Sequence, residues 1–359
     1  MVDLSYEAIK KYLNEVYKEK VEILNIEGVK VEKGSIKGYG YGLPIIITYK
    51  VKDEIKKAVL ETMKKDTFGH DFMHDRAAIM IWSSKSYNQL PKHAKVISLG
   101  YFDSSGNLIP VYDPEEFFII VEFIEGELYF KDLERIKNEG KLTELDVNRC
   151  KVLAEYLANI HSVKYPEQEL YIRRVRDLIG HGECIMGLID NYPKEAEFLE
   201  KDELKNIEKN LIEWRWKLKE YKHRLSVVHG DFHPWNVFFR QGLDFTVSDR
   251  SRGDYGEPAD DVSAMSINYL FFSIQKWYKL HGPFETLWNT FFETYLNLTK
   301  DYEIFEVIQP FFVWRALVVA SPIWYPNLDV KVRRILFNFI HNILNTKTFN
   351  YKEINDYLK

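Results

Sequence analysis

The chain has 359 residues, 46% hydrophobic and 29% charged, with 49 Lys plus Arg against 54 Asp plus Glu and a formal net charge of −5. At roughly 150 residues per domain this length predicts two units, each able to bury a core, and the composition excludes a disordered or fibrous chain. The slightly acidic balance gives no basis for general binding to nucleic acid or to an anionic membrane. Aromatic residues reach 15%, which points to heavily packed interiors. Cys150 and Cys184 are too few for a zinc cluster or a disulfide framework and read as reduced, buried thiols.

Met1 to Glu19 sets Leu4, Ile9, Leu13 and Val16 at helical spacing among charges, without the unbroken apolar core of a signal peptide. Strand patterns follow at Pro44 to Val51 and Ala58 to Met63, around a charged turn at Lys52-Asp53-Glu54. A helix is expected over His70 to Tyr87, with His70 and His74 at i, i+4, then strands over Lys95 to Phe102 and Glu116 to Phe123. From Leu128 onward the period becomes helical. Val147 to Ser162 is amphipathic, and further helices are expected over 168–190, 195–220, 259–278, 285–298, 302–320 and 330–345. The longest apolar run, Phe311 to Tyr325, is broken by Arg315 and Pro322 and falls short of the ~20 residues that span a bilayer. A cytoplasmic α+β protein is expected, with a β-rich unit at 1–125 and a helical unit at 126–359.

The exception to the helical pattern is Val227 to Val262. His229-Gly230-Asp231 follows two apolar residues, Asn236 lies five positions after Asp231, and Val237 to Arg240 and Phe245 to Ser248 read as a hairpin turning at Gln241-Gly242. A turn about the Gly242–Leu243 bond would set Asn236 opposite Asp249, an amide oxygen beside a carboxylate. Mg²⁺ prefers such oxygen ligands together with phosphates, and Asp231 would remain free to accept a hydroxyl proton. Asp-x-x-x-x-Asn followed by a later Asp is the part list of a phosphoryl-transfer site.

His229-Gly-Asp-Phe-His-Pro-Trp-Asn236 and Gly256-Glu-Pro-Ala-Asp-Asp-Val262 resemble the HGDxHxxN and GDPxxDL segments of the aminoglycoside phosphotransferase and choline kinase-like family. Leu153 to His161 is similar to that family's helix before the catalytic loop, and Phe118 to Gly126 to its hinge. The resemblance covers most of residues 34–265. It implies a bilobal protein kinase-like fold, Asp231 as catalytic base, Asn236 and Asp249 as Mg²⁺ ligands, and His229, His233 and Asp261 as supports of the loop. It further implies that Gly38, Gly40 and Gly42 cover the phosphates of ATP or GTP and that Glu122 of the hinge meets the nucleotide. Two positions depart from the family pattern: Arg250 replaces an aromatic residue, and Glu61 stands where Lys or Arg grips phosphate. Lys57 and Lys64 are the neighbouring cations.

Arg174, Arg250 and Arg252 are candidate contacts to an anionic substrate, since a guanidinium grips carboxylate or phosphate in a bidentate fork. The expected activity is phosphorylation of a hydroxyl on a small molecule. The alternative is a nucleotide-binding pseudokinase scaffold, motivated by Glu61.

Overall fold

Contacts between residues divide the chain into two units, Met1–Val121 and Glu122–Lys359. The computed structural model describes residues 4–28, 44–89 and 91–359. In the first unit α1 (Tyr6–Tyr17) begins at Ser5, whose hydroxyl accepts from the Ala8 N–H at 3.2 Å. It buries Ile9 and Leu13 against Val21, Ile47, Tyr49 and Val51 of an antiparallel sheet formed by β1 (Val21–Gly28), β2 (Ile45–Val51) and β3 (Glu54–Leu60). Lys52 and Asp53 both take positive φ, 49° and 66°, as a two-residue hairpin whose twist matches its strands requires. Next come α2 (Met73–Gln89) and the hairpin of β4 (Leu99–Phe102) with β5 (Leu108–Val111).

The second unit is mostly helical. In chain order it comprises β6 (Glu127–Leu128), α3 (Phe130–Glu139), α4 (Glu144–His161), α5 (Leu170–Gly180), α6 (Ile185–Asp190) and α7 (Glu203–Leu218). Short strands β7 (Ser226–Val227), β8 (Val237–Phe239), β9 (Phe245–Val247) and β10 (Tyr255–Gly256) follow, then α8 (Pro258–Trp277), α9 (Pro283–Thr299), α10 (Ile304–Val307), α11 (Gln309–Ala320) and α12 (Val330–Leu344). Every residue of α8 from Pro258 to Ile274 is buried, so this helix is the axis of the core. Pro258 opens it at a position where a missing N–H costs nothing, and Glu257 caps it by accepting from Ala259 N–H at 3.2 Å. Among the described residues no helix is long and apolar enough to cross a membrane.

Three expectations need correction. Glu116 to Phe123 is irregular, with Phe118, Ile119, Ile120 and Phe123 more than four-fifths exposed. Strand propensity makes no strand without a hydrogen-bonded neighbour, and this segment pairs with no described sheet. The helix expected from His70 starts at Met73, so His70 lies before it, bound to Asp66 at 2.9 Å, and forms no i, i+4 helical pair with His74. The span 168–190 is two helices, divided at His181 to Cys184, and 302–320 is α10 and α11.

Glu257 also fixes the helical unit through a buried ion cluster. Arg224 donates to it at 2.8 and 3.0 Å and to Asp301 at 2.6 and 2.8 Å, while the Tyr171 hydroxyl donates to Glu257 at 2.7 Å. Removing one member strands a buried charge, so Arg224→Met is expected to lose about 3–5 kcal/mol of unfolding free energy, measured by denaturant titration. An unchanged midpoint and slope would show that the cluster adds nothing.

Candidate active site

The loop between β7 and β8 is shaped from beneath by Asp261, fully buried in the first turn of α8. Its two oxygens accept from His229 N–H at 2.7 Å and Gly230 N–H at 2.8 Å, and Oδ2 also lies 3.1 Å from Nε2 of His161, the last residue of α4. Burial would raise this carboxyl, but the His161 hydrogen bond and the nearby imidazoles and backbone donor outweigh it and hold the group below its ordinary value. Gly230 has φ +85°, and a Cβ there would meet the Arg252 Cβ at 3.3 Å, so glycine is what allows the turn.

This turn carries Asp231 into a cationic setting. Asp231 Oδ1 lies 2.5 Å from Arg315 Nη1, and Oδ2 lies 3.5 Å from Arg252 Nε and 3.6 Å from His233 Nε2. Burial opposes ionisation, but Arg315, His233 and Arg252 together hold the carboxyl well below the usual carboxylate range. His229 accepts from Asp231 N–H at 3.3 Å, and burial lowers the affinity of its ring for a second proton. His233 caps the short turn Pro234–Asn236 by accepting from Trp235 N–H at 3.2 Å. The Asn236 amide nitrogen donates to the Asp231 carbonyl at 3.1 Å.

The hairpin register differs from the expected one. Arg240 N–H bonds to Asp244 O at 2.9 Å, closing a three-residue loop with Gly242 at φ +76°, and Val237 pairs with Val247. Asn236 therefore faces Ser248, whose N–H it receives at 2.9 Å, and Asp249 is one residue beyond. The physical reason is the loop: three residues centred on Gly242 shift the pairing by one. Asp249 adopts φ 58°, a conformation Asp tolerates, and its exposed carboxylate accepts only Ser251 N–H at 3.3 Å among the described residues. Asn236 Oδ1 likewise accepts no hydrogen bond there. An amide oxygen with no hydrogen bond and a carboxylate with one, on adjoining ends of one hairpin, suit a hard divalent cation. Among the described residues no group of three or more His, Cys, Asp and Glu could hold a metal.

The three arginines are used differently. Arg250 donates to the carbonyls of Val228 and Asp254 at 2.8–2.9 Å and so holds the loop itself. Arg174 donates to the Arg252 carbonyl and lies 3.7 Å from Asp177. Arg252 alone approaches Asp231, its Nε buried without a hydrogen-bond partner and its guanidinium 4.6 Å from the Trp314 ring centre. Glu122 lies in an exposed irregular segment, and Gly38, Gly40 and Gly42 lie outside the described residues. In the first unit Lys57 and Glu61 both line a cavity of about 700 Å³.

Sequence reasoning missed Arg315 and Asp260. Arg315 Nη2 donates to Asp260 Oδ1 at 2.6 Å, and burial pushes the Asp260 carboxyl up to about 6, with Arg315 opposing and Asp261 adding to the rise. The available signal was a lone charge inside an otherwise apolar helix.

The family model described as "Phosphotransferase enzyme family" matches residues 89–275, just over half of the chain. No curated protein sequence matches. Among solved structures the chain is similar to an ethanolamine kinase from Plasmodium vivax, at 15% identity over 99% of this chain and 84% of that one, TM-score 0.35. It is also similar to an amicoumacin kinase in complex with AMP-PNP and Ca²⁺, at 14% over 91% and 92%, TM-score 0.40. A glucosamine kinase matches at 10% over 94% and 91%, TM-score 0.36.

Asp261→Ala leaves His229 and Gly230 N–H groups buried without acceptors, at about 1–3 kcal/mol each. Amide exchange at His229 and Gly230 should accelerate in hydrogen-exchange mass spectrometry, ahead of exchange in α9 and α12. Because the folded Asp261 group sits below its unfolded value of ~3.9, its stabilisation is present above that pH. It is lost as pH falls through the folded value, so acid melts of parent and variant should converge there.

Proposed function

The chain belongs to the phosphotransferase enzyme family, and on that premise we propose that it is a Mg²⁺-dependent kinase moving the terminal phosphoryl group of ATP or GTP to a hydroxyl of a small molecule. The observation that carries this reading is the loop–hairpin unit itself. Asp231 is a buried, ionised carboxylate whose Oδ2 lies 3.5 Å or more from the side-chain nitrogens around it, and among the described residues Asn236 Oδ1 accepts no hydrogen bond while the Asp249 carboxylate accepts only Ser251 N–H. Asp231 accepts the proton of the attacking hydroxyl as the new oxygen–phosphorus bond forms and the bond to the leaving diphosphate breaks. Asn236 and Asp249 would hold Mg²⁺, which supplies charge neutralisation on the phosphates. His229, His233 and Asp261 keep the loop in place.

The reading assigns Gly38, Gly40 and Gly42 of the first unit to the phosphates, and Glu122, the first residue of the second, to the hinge contact with the nucleotide. Lys57, on the exposed face of β3 two residues before Val59 and four before Glu61, is the nearest strand cation to replace the one missing at position 61. An anionic acceptor is favoured because Arg252, whose Nη1 donates to the Glu183 carbonyl at 3.3 Å, stands next to Asp231 with its Nε lacking a hydrogen-bond partner, whereas the Arg250 guanidinium is spent on the loop carbonyls of Val228 and Asp254. A polycation would meet repulsion there. A phosphate-transfer screen pairing each hydroxylated carboxylate or phosphate ester with its neutral and aminated analogue tests the substrate class. Turnover confined to cationic acceptors would overturn it.

Asp249→Ala should weaken Mg²⁺-nucleotide binding in calorimetry while leaving metal-free nucleotide binding near the parent value. Equal affinity of variant and parent for the metal complex removes Asp249 from the metal site. Asp231→Asn should lower turnover about 10²–10⁴-fold with nucleotide affinity little changed, because the amide keeps the shape but takes no proton. Parent-level turnover in Asp231→Asn would remove the base.

A further inference from the structure

Arg315 is the lone charge of α11, a helix whose residues from Gln309 to Leu317 are all buried. A guanidinium in such a place requires fixed acceptors, since an unpaired buried charge is costly. Among the described residues all its hydrogen-bond acceptors belong to the catalytic loop or the first turn of α8, and its buried Nε has none. Nη1 donates to Asp231 Oδ1 at 2.5 Å, and Nη2 to the Gly230 carbonyl at 3.1 Å and to Asp260 Oδ1 at 2.6 Å. The Trp314 ring centre lies 3.8 Å from the guanidinium carbon and supports it from the side. Gly230 is thus held at both ends of one residue, its N–H by Asp261 and its carbonyl by Arg315. The adjacent aspartates of α8 divide the task, Asp261 gripping the loop backbone and Asp260 anchoring the arginine that grips the loop side chain.

We propose that Arg315 is a positioning residue of the transfer reaction: it fixes the Asp231 carboxylate through Oδ1 and leaves Oδ2 as the oxygen that takes the acceptor proton. The inference rests on the reading of Asp231 as the base. Among the described residues the side-chain nitrogens nearest Oδ2 are Arg252 Nε at 3.5 Å and His233 Nε2 at 3.6 Å, outside ordinary hydrogen-bond distance, so it has the free lone pair. In the step, the acceptor O–H bond breaks with its proton passing to Oδ2. The acceptor oxygen bonds to the terminal phosphorus, and the bond from phosphorus to the bridging oxygen breaks with its electron pair leaving on the diphosphate. A carboxylate free to rotate would present Oδ2 only part of the time, and a misplacement of about 1 Å can cost on the order of 10²-fold in rate. Arg is suited to this because its planar fork binds a side chain and a backbone carbonyl at once, which an ammonium cannot do in the same geometry.

The test uses the full chain and hydrolysis of Mg-ATP or Mg-GTP, whichever the parent turns over faster, with water as acceptor. Arg315→Met should lower kcat about 100-fold and leave the nucleotide KM within about twofold. Arg315→Lys, which keeps charge without the fork, should recover about tenfold of that loss. Asp260→Asn, which loosens the anchor, should lower kcat about tenfold. Thermal melts identify the folded variants; if Arg315→Met is unfolded, the Lys and Asp260→Asn arms decide the matter by the same criterion. Parent-level kcat in the folded variants, or a loss confined to KM, overturns the inference. Asp231→Asn is run alongside. If it too turns over at the parent rate, the base reading has failed; if it is inactive while the Arg315 variants keep parent kcat, only the positioning role has failed.

Discussion

The loop that bears Asp231 depends on the carboxylate of Asp261. A carboxylate offers two oxygens, and here each accepts a backbone N–H of successive residues, His229 and Gly230, while Oδ2 also meets His161. No neutral side chain of this size could satisfy that set. The charge sits in the first turn of a twenty-residue helix, where the partial positive charge of the N-terminus favours an anion. Glu257 and Pro258 set the start of that helix, so the Gly-Glu-Pro-Ala-Asp-Asp segment is a device for placing two carboxylates under a loop. His161 ties the same point to α4, and Tyr295 of α9 bonds to the other ring nitrogen at 2.9 Å.

The helical unit buries several charges, and two of them, Arg224 and Arg315, are matched by sets of carboxylates. Arg224 is surrounded by Glu257, Asp301 and Glu303, and Arg315 by Asp231 and Asp260. Burying an ion costs several kcal/mol, and the attraction of a well-placed partner roughly offsets that cost, so such sets define geometry more than they add stability. In the first set the result is a fixed start for α8. In the second it is a fixed carboxylate on the loop. The two meet across four residues of sequence, Glu257 to Asp260.

Asn236 and Asp249 are placed by a different rule, the register of a short hairpin. A three-residue loop makes Ser248 the partner of Asn236, and the chain then turns through a left-handed residue at Asp249. The carboxylate is thus aimed by backbone conformation and not by cross-strand pairing. A two-residue loop would have set Asp249 opposite Asn236, which is why the register matters at the level of a single residue.

The sequence by itself determined the change from strand to helix period, the helical positions of the second unit, and the local grouping of His229, Asp231, Asn236 and Asp249, because these depend on side-chain periodicity and on residues close along the chain. It also pointed to Asp261 as the brace, through the spacing of a recognisable segment. The register of the hairpin, the absence of a strand over Glu116 to Phe123, and the late start of α2 were decided by turn geometry and by the presence or lack of a pairing neighbour. Arg315 was visible only as an interruption in an apolar run. Its contact with Asp231 joins residues 84 positions apart, and nothing local encodes it. Only the packing of α11 against α8 brings that guanidinium to the loop, because a buried charge must go where its acceptors are.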